Sequence, residues 1–238
     1  MKKRLVPKQG QLTLPLANRE KPGFDQFIIG DNIEVVQLLK LIAGGIKHTR
    51  LFLWGSHGCG LSHLLQASCI LADEKDQAVA YIPLGDFQQL DPAMLENLDR
   101  MVMVCIDDID AIAGDLEWET ALFHFYNRLR DKNISLLISA HTNARNLEFE
   151  LPDLKSRMVW DLVYHLKPLA DTDKIEALQR RAHARGFSLP REVAEFLVNR
   201  VPRDMLSLMH LLDQLEQATL TAQRKLTIPF AKSFLENR

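Results

Sequence analysis

Gly55, Gly60 and Ser62 fall on the glycines and the hydroxyl of G-x-x-x-x-G-K-[ST], a pattern in which a loop between a strand and a helix wraps a phosphate. The apolar residues 51–54 supply the strand, Ser56, His57, Gly58 and Cys59 occupy the turn, and His63, Leu64 and Leu65 open the helix. Glycine lets backbone N–H groups converge with no Cβ in the way, and the positive end of the following helix faces the anion. The lysine of the pattern is Leu61 in this chain. A charged hydrogen bond contributes about 1.5–3 kcal/mol, so its loss weakens phosphate binding by roughly one to two orders of magnitude without abolishing it. Catalysis, which needs charge neutralised as it develops on a γ-phosphate, suffers more. A glycine-rich turn that binds nothing is the competing reading of the loop taken alone.

A second constellation follows the apolar run 101–106, which ends in Asp107-Asp108. Such a run describes a strand buried on both faces with carboxylates at its C-terminal edge, where a phosphate loop of the same sheet also lies. Asp107 is placed to hold a magnesium ion, directly or through water and together with Ser62, and Asp108 to orient a water near a γ-phosphate. Residues 134–140 read as another strand, and Ser139, with Asn143 as second choice, could sense the terminal phosphate from its edge. Turn residues satisfying backbone groups are the alternative there. Arg203, at the start of a late helix, could reach back to a phosphate or be an ordinary surface arginine.

The elements that must position these residues alternate. Strands are expected at 51–54, 78–83, 101–106, 134–140 and 162–166, with helices after the loop and over 118–130 and a weakly helical stretch over 92–98. That order implies right-handed crossovers and a five-stranded parallel sheet flanked by helices. Before the first strand, residues 24–30 read as extended, and a helix from Asp31 or Asn32 carries Ile33, Val36, Leu39 and Ile42 on one stripe. Phe27 and Ile28 either wall a base or belong to the core. After Pro168 the chain turns helical, with apolar stripes in successive helices and a last helix over 229–235, as a small lid would require. The expected division is a tail at 1–22, an α/β domain at 23–167 and an all-α lid at 168–238.

Residues 1–22 hold Pro7, Gly10, Pro15 and Pro22 and have no helical period. Within them Gln11, Leu12, Leu14 and Leu16 form a glutamine followed by alternating large apolar side chains, a peptide that can fill a partner's pockets or fold back on its own domain. With 238 residues, 47 % of them apolar, the chain can bury a real core. A net charge of −2 argues against a protein that carries itself onto nucleic acid. The odd set Cys59, Cys69 and Cys105 has no metal-ligand spacing and reads as reduced thiols. Neither a membrane span nor a signal-peptide core is expected, which places the chain in the cytoplasm.

Taken in order, Phe24-Asp25-Gln26-Phe27 with Gly30, Ser62-His63-Leu64-Leu65-Gln66-Ala67, Asp107-Asp108, Lys155-Ser156-Arg157-Met158-Val159-Trp160 and Arg203-Asp204-Met205 resemble the boxes of the AAA+ domain of the bacterial initiator DnaA. The tail and the run from Thr221 to Phe230 resemble a DnaA-related regulator of replication initiation. The resemblance implies an AAA+ P-loop module followed by a helical lid, with ADP or another nucleoside diphosphate in the cleft. It also implies a tail that binds the sliding clamp, the β subunit of DNA polymerase III, and an inhibitory action on DnaA through hydrolysis of DnaA-bound ATP. By position Arg157 would be the arginine finger offered in trans, Arg203 the second sensor, and Asp107 and Asp108 the acid-strand pair. DNA would then be met through the clamp, near the replisome, with self-association head to tail or through the tail as a further expectation. The competing functions are an ATPase in its own right, such as a clamp-loader subunit or helicase loader, and an adaptor with no catalytic arginine.

Overall fold

A computed structural model of the chain describes residues 22–98, 100–160, 162–201, 204–222 and 224–236. Along β1 (Arg50–Trp54), β2 (Val79–Pro83), β3 (Met103–Asp107), β4 (Ser135–Ala140) and β5 (Leu162–His165), side chains alternate between two faces, as the period of a strand requires. Leu51, Leu53, Met103, Cys105 and Leu137 pack with α1 (Ile33–Ala43) and α2 (Leu61–Asp73). Phe52, Val104, Ile106, Leu136 and Ile138 pack on the other side with α3 (Leu116–Asp131) and α4 (Pro152–Trp160). All of β3 and β4 is therefore buried, and the strand order is β2-β3-β4-β1-β5 with every pairing parallel.

That order has β1 flanked by β4 and β5, although β2 is its successor in the chain. Ligands of open α/β sheets collect at such a reversal, beyond the C-terminal ends of the strands. The loop after β1 and the acids after β3 both emerge at that edge. After β5 come α5 (Asp171–Ala184), α6 (Arg191–Arg200), α7 (Met205–Ala222) and α8 (Ile228–Glu236), which enclose a core of their own around Leu178, Leu197, Leu208 and Leu212.

Several local expectations give way to tertiary contacts. Residues 24–27 form a turn rather than an extended piece, and the weakly helical stretch is a short 3-10 turn, Pro92–Leu95, capped by the Asp91 carboxylate. Asn32 precedes α1 but does not cap it: its amide donates to Lys167 O at 2.9 Å and accepts from Lys167 N at 2.8 Å, tying the start of the domain to the end of its last strand. Ile33, expected on the buried stripe, is 55 % exposed, while Val35 and Leu38 are buried instead. Glu119 is fully buried on α3 and accepts from the N–H groups of Gly114, Glu150 and Leu151 at 2.9, 3.1 and 2.7 Å. It thereby anchors the segment that leads into α4. Cys69 and Cys105 lie buried with their sulfurs 3.4 Å apart, and burial, then Cys69, pushes the Cys105 thiol well up. None of the helices among the described residues is long and apolar enough to cross a membrane.

Candidate functional site

The loop after β1 has the backbone its glycines foretell. Gly58 and Gly60 take φ of +74° and +104°, a region that side chains with a Cβ rarely enter. A Cβ at Gly60 would stand 2.7 Å from the Phe27 ring, so the turn before α1 closes directly over the loop. A Cβ at Gly58 would stand 3.1 Å from Leu206 N, which brings the first turn of α7 against the other side. Two helix starts, those of α2 and α7, thus meet the loop: that of α2 has no side-chain cap and turns the positive end of its dipole to the loop, whereas Ser207 N at the start of α7 already donates to Asp204 Oδ1 at 2.8 Å. Leu61, in the lysine position, is 3 % exposed and packs with the α1 and α2 core.

Around the loop lies a cavity of about 510 Å³. Phe27, Ile28, Leu169, Ala177 and Met209 give it apolar walls, and Ser56 through His63, Asp108 and His141 give it polar ones. Two larger grooves elsewhere on the surface include neither the loop after β1 nor Asp108. Cys59 is half-buried in the loop, and burial raises its thiol, which makes it a packing group rather than a nucleophile.

The acid pair is divided between two tasks. Asp107 is 2 % exposed; Tyr81 Oη donates to its Oδ2 at 2.5 Å, and Ser139 Oγ donates to its Oδ1 in a very short contact. Gln66 on α2 donates to Tyr81 Oη at 3.0 Å, and Ser139 Oγ also accepts from Asp108 N at 2.9 Å. The chain Gln66–Tyr81–Asp107–Ser139–Asp108 locks α2, β2, β3 and β4 together below the cavity. Burial, then the Asp107 charge, pushes the Tyr81 phenol far above its ordinary value, so it stays a donor. Ser139 is wholly buried, and what it fixes is the acid pair. Both Asp107 oxygens accept from hydroxyls, so of the two magnesium arrangements expected of Asp107 with Ser62, direct or through water, the direct one does not fit this geometry. Among the described residues no group of three or more His, Cys, Asp or Glu side chains is arranged to hold a metal.

Asp108 faces the cavity instead. Its φ of +58° turns the chain sharply after β3, a conformation Asp tolerates better than most residues. His141 Nε2 stands 3.1 Å from Asp108 Oδ1, and the His141 ring lies on that of His57 with centroids 3.6 Å apart. Burial, then Asp107, raises the Asp108 carboxyl, with His141 pulling the other way. His141 went unselected by sequence reasoning, although it stands at the same strand edge that drew attention to Ser139. Asn143 is a turn residue, accepting from Arg145 N at 3.0 Å.

Arg157 does not line the cavity. It sits on α4, its guanidinium about 6 Å from the ring centroids of Phe123, Tyr126 and Trp160, with Nε buried and without a hydrogen-bond partner among the described residues. Nothing in its aromatic seat is visible in sequence spacing. Beside it Trp160 is 78 % exposed, and the edge strand β5 exposes Leu162 and Val163. Arg203 and the tail residues Gln11, Leu12, Leu14 and Leu16 lie outside the described residues.

The family model for the bacterial DnaA ATPase domain matches residues 18–165, and that for the Hda lid domain matches residues 171–235. Among solved structures, domain III of the Thermotoga maritima replication initiation protein DnaA is 24 % identical and has a TM-score of 0.82, over 92 % of this chain and 97 % of that one. AMPPCP-bound DnaA from Aquifex aeolicus is 21 % identical with a TM-score of 0.69, over 82 % and 65 %. The Thermotoga maritima Holliday junction branch migration motor RuvB is 17 % identical with a TM-score of 0.70, over 92 % and 72 %. At these identities the structures share the fold, an AAA+ α/β body with a helical lid.

Proposed function

Because the chain belongs to the family of the bacterial DnaA ATPase domain, we propose that it regulates replication initiation by acting on DnaA rather than by hydrolysing ATP for its own work. Residues 23–167 form the nucleotide-binding body, 168–238 the lid, and 1–22 the tail that docks Gln11, Leu12, Leu14 and Leu16 into the sliding clamp. Bound to the clamp on DNA, the protein presents Arg157 to ATP held by DnaA and promotes its hydrolysis, leaving DnaA with ADP.

The observation that carries this reading is the position of Arg157, outside the wall of its own cavity and on an edge with exposed apolar side chains. An arginine there cannot serve its own phosphates, but it can complete the site of a neighbour docked head to tail. The match to the Hda lid supports the regulatory branch of the family, and the AMPPCP carried by a DnaA of the same fold supports a nucleotide in the cleft. ADP is the nucleotide we favour. The loop N–H groups and the start of α2 hold its phosphates, Phe27 and Ile28 wall its base, and Leu61 provides nothing to offset charge at a third phosphate.

The test compares ATP turnover by the isolated protein, by DnaA alone, and by DnaA mixed with the protein and DNA-loaded clamp. Acceleration is expected only in the mixture, and only with an intact tail. Turnover by the isolated protein of roughly one per second, where kinases begin, would make it an ATPase in its own right. Binding to clamp and DnaA without acceleration would make it an adaptor.

A further inference from the structure

Leu61 leaves the phosphate loop without its cation, yet two imidazoles converge beside that loop. His57 lies within it and His141 ends β4; their rings stack with centroids 3.6 Å apart, and both line the 510 Å³ cavity with Gly58, Gly60 and Ser62. His141 Nε2 is 3.1 Å from Asp108 Oδ1, while its Nδ1 is buried and has no hydrogen-bond partner among the described residues. Building on the nucleotide reading above, we propose that His57 and His141 together form a one-proton cation site that replaces the missing lysine and holds the terminal phosphate of a nucleoside diphosphate.

Two rings this close do not both carry charge, since like charges in contact disfavour the second proton. One proton shared by the pair gives a single positive charge, as the lysine would. Histidine changes charge between about pH 5 and 8, so this cation is gained and lost in the physiological range where lysine's is constant. The other groups facing the pair set the balance. Asp108 Oδ1 faces His141 Nε2 at 3.1 Å, Asp110 Oδ1 accepts the backbone N–H of His141 at 3.1 Å, and Asp107 stands behind Asp108. His63 and Cys59 complete the titratable lining of the cavity. An arriving phosphate brings negative charge beside the imidazoles, and an opposite charge so close favours a proton on them. Diphosphate binding therefore takes up a proton.

Isothermal titration of the full chain with ADP, at about pH 6 and about pH 8 and in buffers of differing ionisation enthalpy, reads this directly. The wild type is expected to bind roughly ten-fold tighter at the lower pH, with net proton uptake, as the gain of one charged hydrogen bond implies. His57→Gln with His141→Gln should bind roughly ten-fold more weakly at the lower pH and lose the uptake, while melting as the wild type does. The nucleotide's own titration is common to both proteins and drops out of the comparison. His57→Lys restores a fixed charge and should bind at the higher pH as tightly as the wild type does at the lower. A folded double variant that keeps the wild-type affinity and pH slope would overturn the histidine assignment and leave the nucleotide site standing. If the wild type binds no ADP at either pH, the nucleotide reading falls and takes this one with it.

Discussion

Asp107 is 2 % exposed with a hydroxyl donor on each oxygen, whereas Arg157 has a buried Nε with no hydrogen-bond partner among the described residues, beside a tryptophan that is 78 % exposed. Both residues belong to the same sheet-and-helix body. The cavity edge is closed by hydrogen bonds from β2, β4 and α2, so its geometry is finished within one chain. The α4–β5 edge is held by aromatic faces and leaves apolar surface uncovered. The contrast separates an edge whose polar groups are satisfied within the chain from one where an arginine rests on ring faces, and it is at the second that the proposed partner would dock.

The sharpest way to break this contrast is Arg157→Ala. Stimulated hydrolysis of DnaA-bound ATP should fall by about 10³–10⁵, the contribution of an arginine finger. Stability should fall by only about 0.5–1 kcal/mol for the lost ring contacts, with ADP and clamp binding unchanged. Arg157→Lys keeps the charge without the fork and should recover little of the rate. If a stable Arg157→Ala protein still stimulates hydrolysis within a few-fold of the wild type, the open edge is not where the partner's ATP is completed.

Glu119→Ala sharpens it at the next level down. Removing a buried carboxylate that accepts three backbone N–H groups leaves those donors unsatisfied, a loss of about 3 kcal/mol or more in denaturant unfolding. Because two of the donors lie in the segment entering α4, damage should reach Arg157 first: stimulation is lost under conditions where ADP still binds. A variant that loses both together would show that the two edges are not separately supported.

The difference also explains what could be read beforehand. The loop, the strand that carries the acids and the alternating elements were legible because each rests on local spacing: Gly55 to Ser62, the buried run ending at Asp107, the Pro and Gly breaks. What escaped rests on contacts between distant segments. Asn32, from which the first helix is expected to start, ties to Lys167, 135 residues away. The bond from Ser139 to Asp107 is invisible in the sequence, because only the register of β3 against β4 brings the two together. Glu119 gains its role only from the N–H groups of Gly114, Glu150 and Leu151 that close on it. The aromatic seat of Arg157 is assembled from α3 and α4, and no periodicity announces it.

The smallest expected effect concerns pH and falls on one edge only. His63 follows the loop, with Nε2 2.9 Å from Gly23 O and its ring 5.6 Å from that of Phe27. Burial, its largest influence, lowers its value below the ordinary 6.5, although Gly23 O and Asp25 oppose the shift. The folded state therefore binds fewer protons here than the unfolded chain, and stability rises with pH across the interval between the two values. It is lost as pH falls through about 6.5 toward the folded value. Asp108 acts in the opposite sense: its raised carboxyl binds a proton more readily when folded, so acid relieves its burial. The informative quantity is thus the difference between wild type and His63→Gln, whose amide can still donate to Gly23 O. Melting temperatures taken from about pH 7.5 to about pH 5.5 should fall less steeply in the variant than in the wild type. Arg157→Ala should leave the wild-type slope intact, since arginine does not titrate in that range. A His63→Gln protein with a slope as steep as the wild type would mean that the turn over the loop is not closed on a neutral imidazole, and that the cavity edge is less finished than its hydrogen bonds imply.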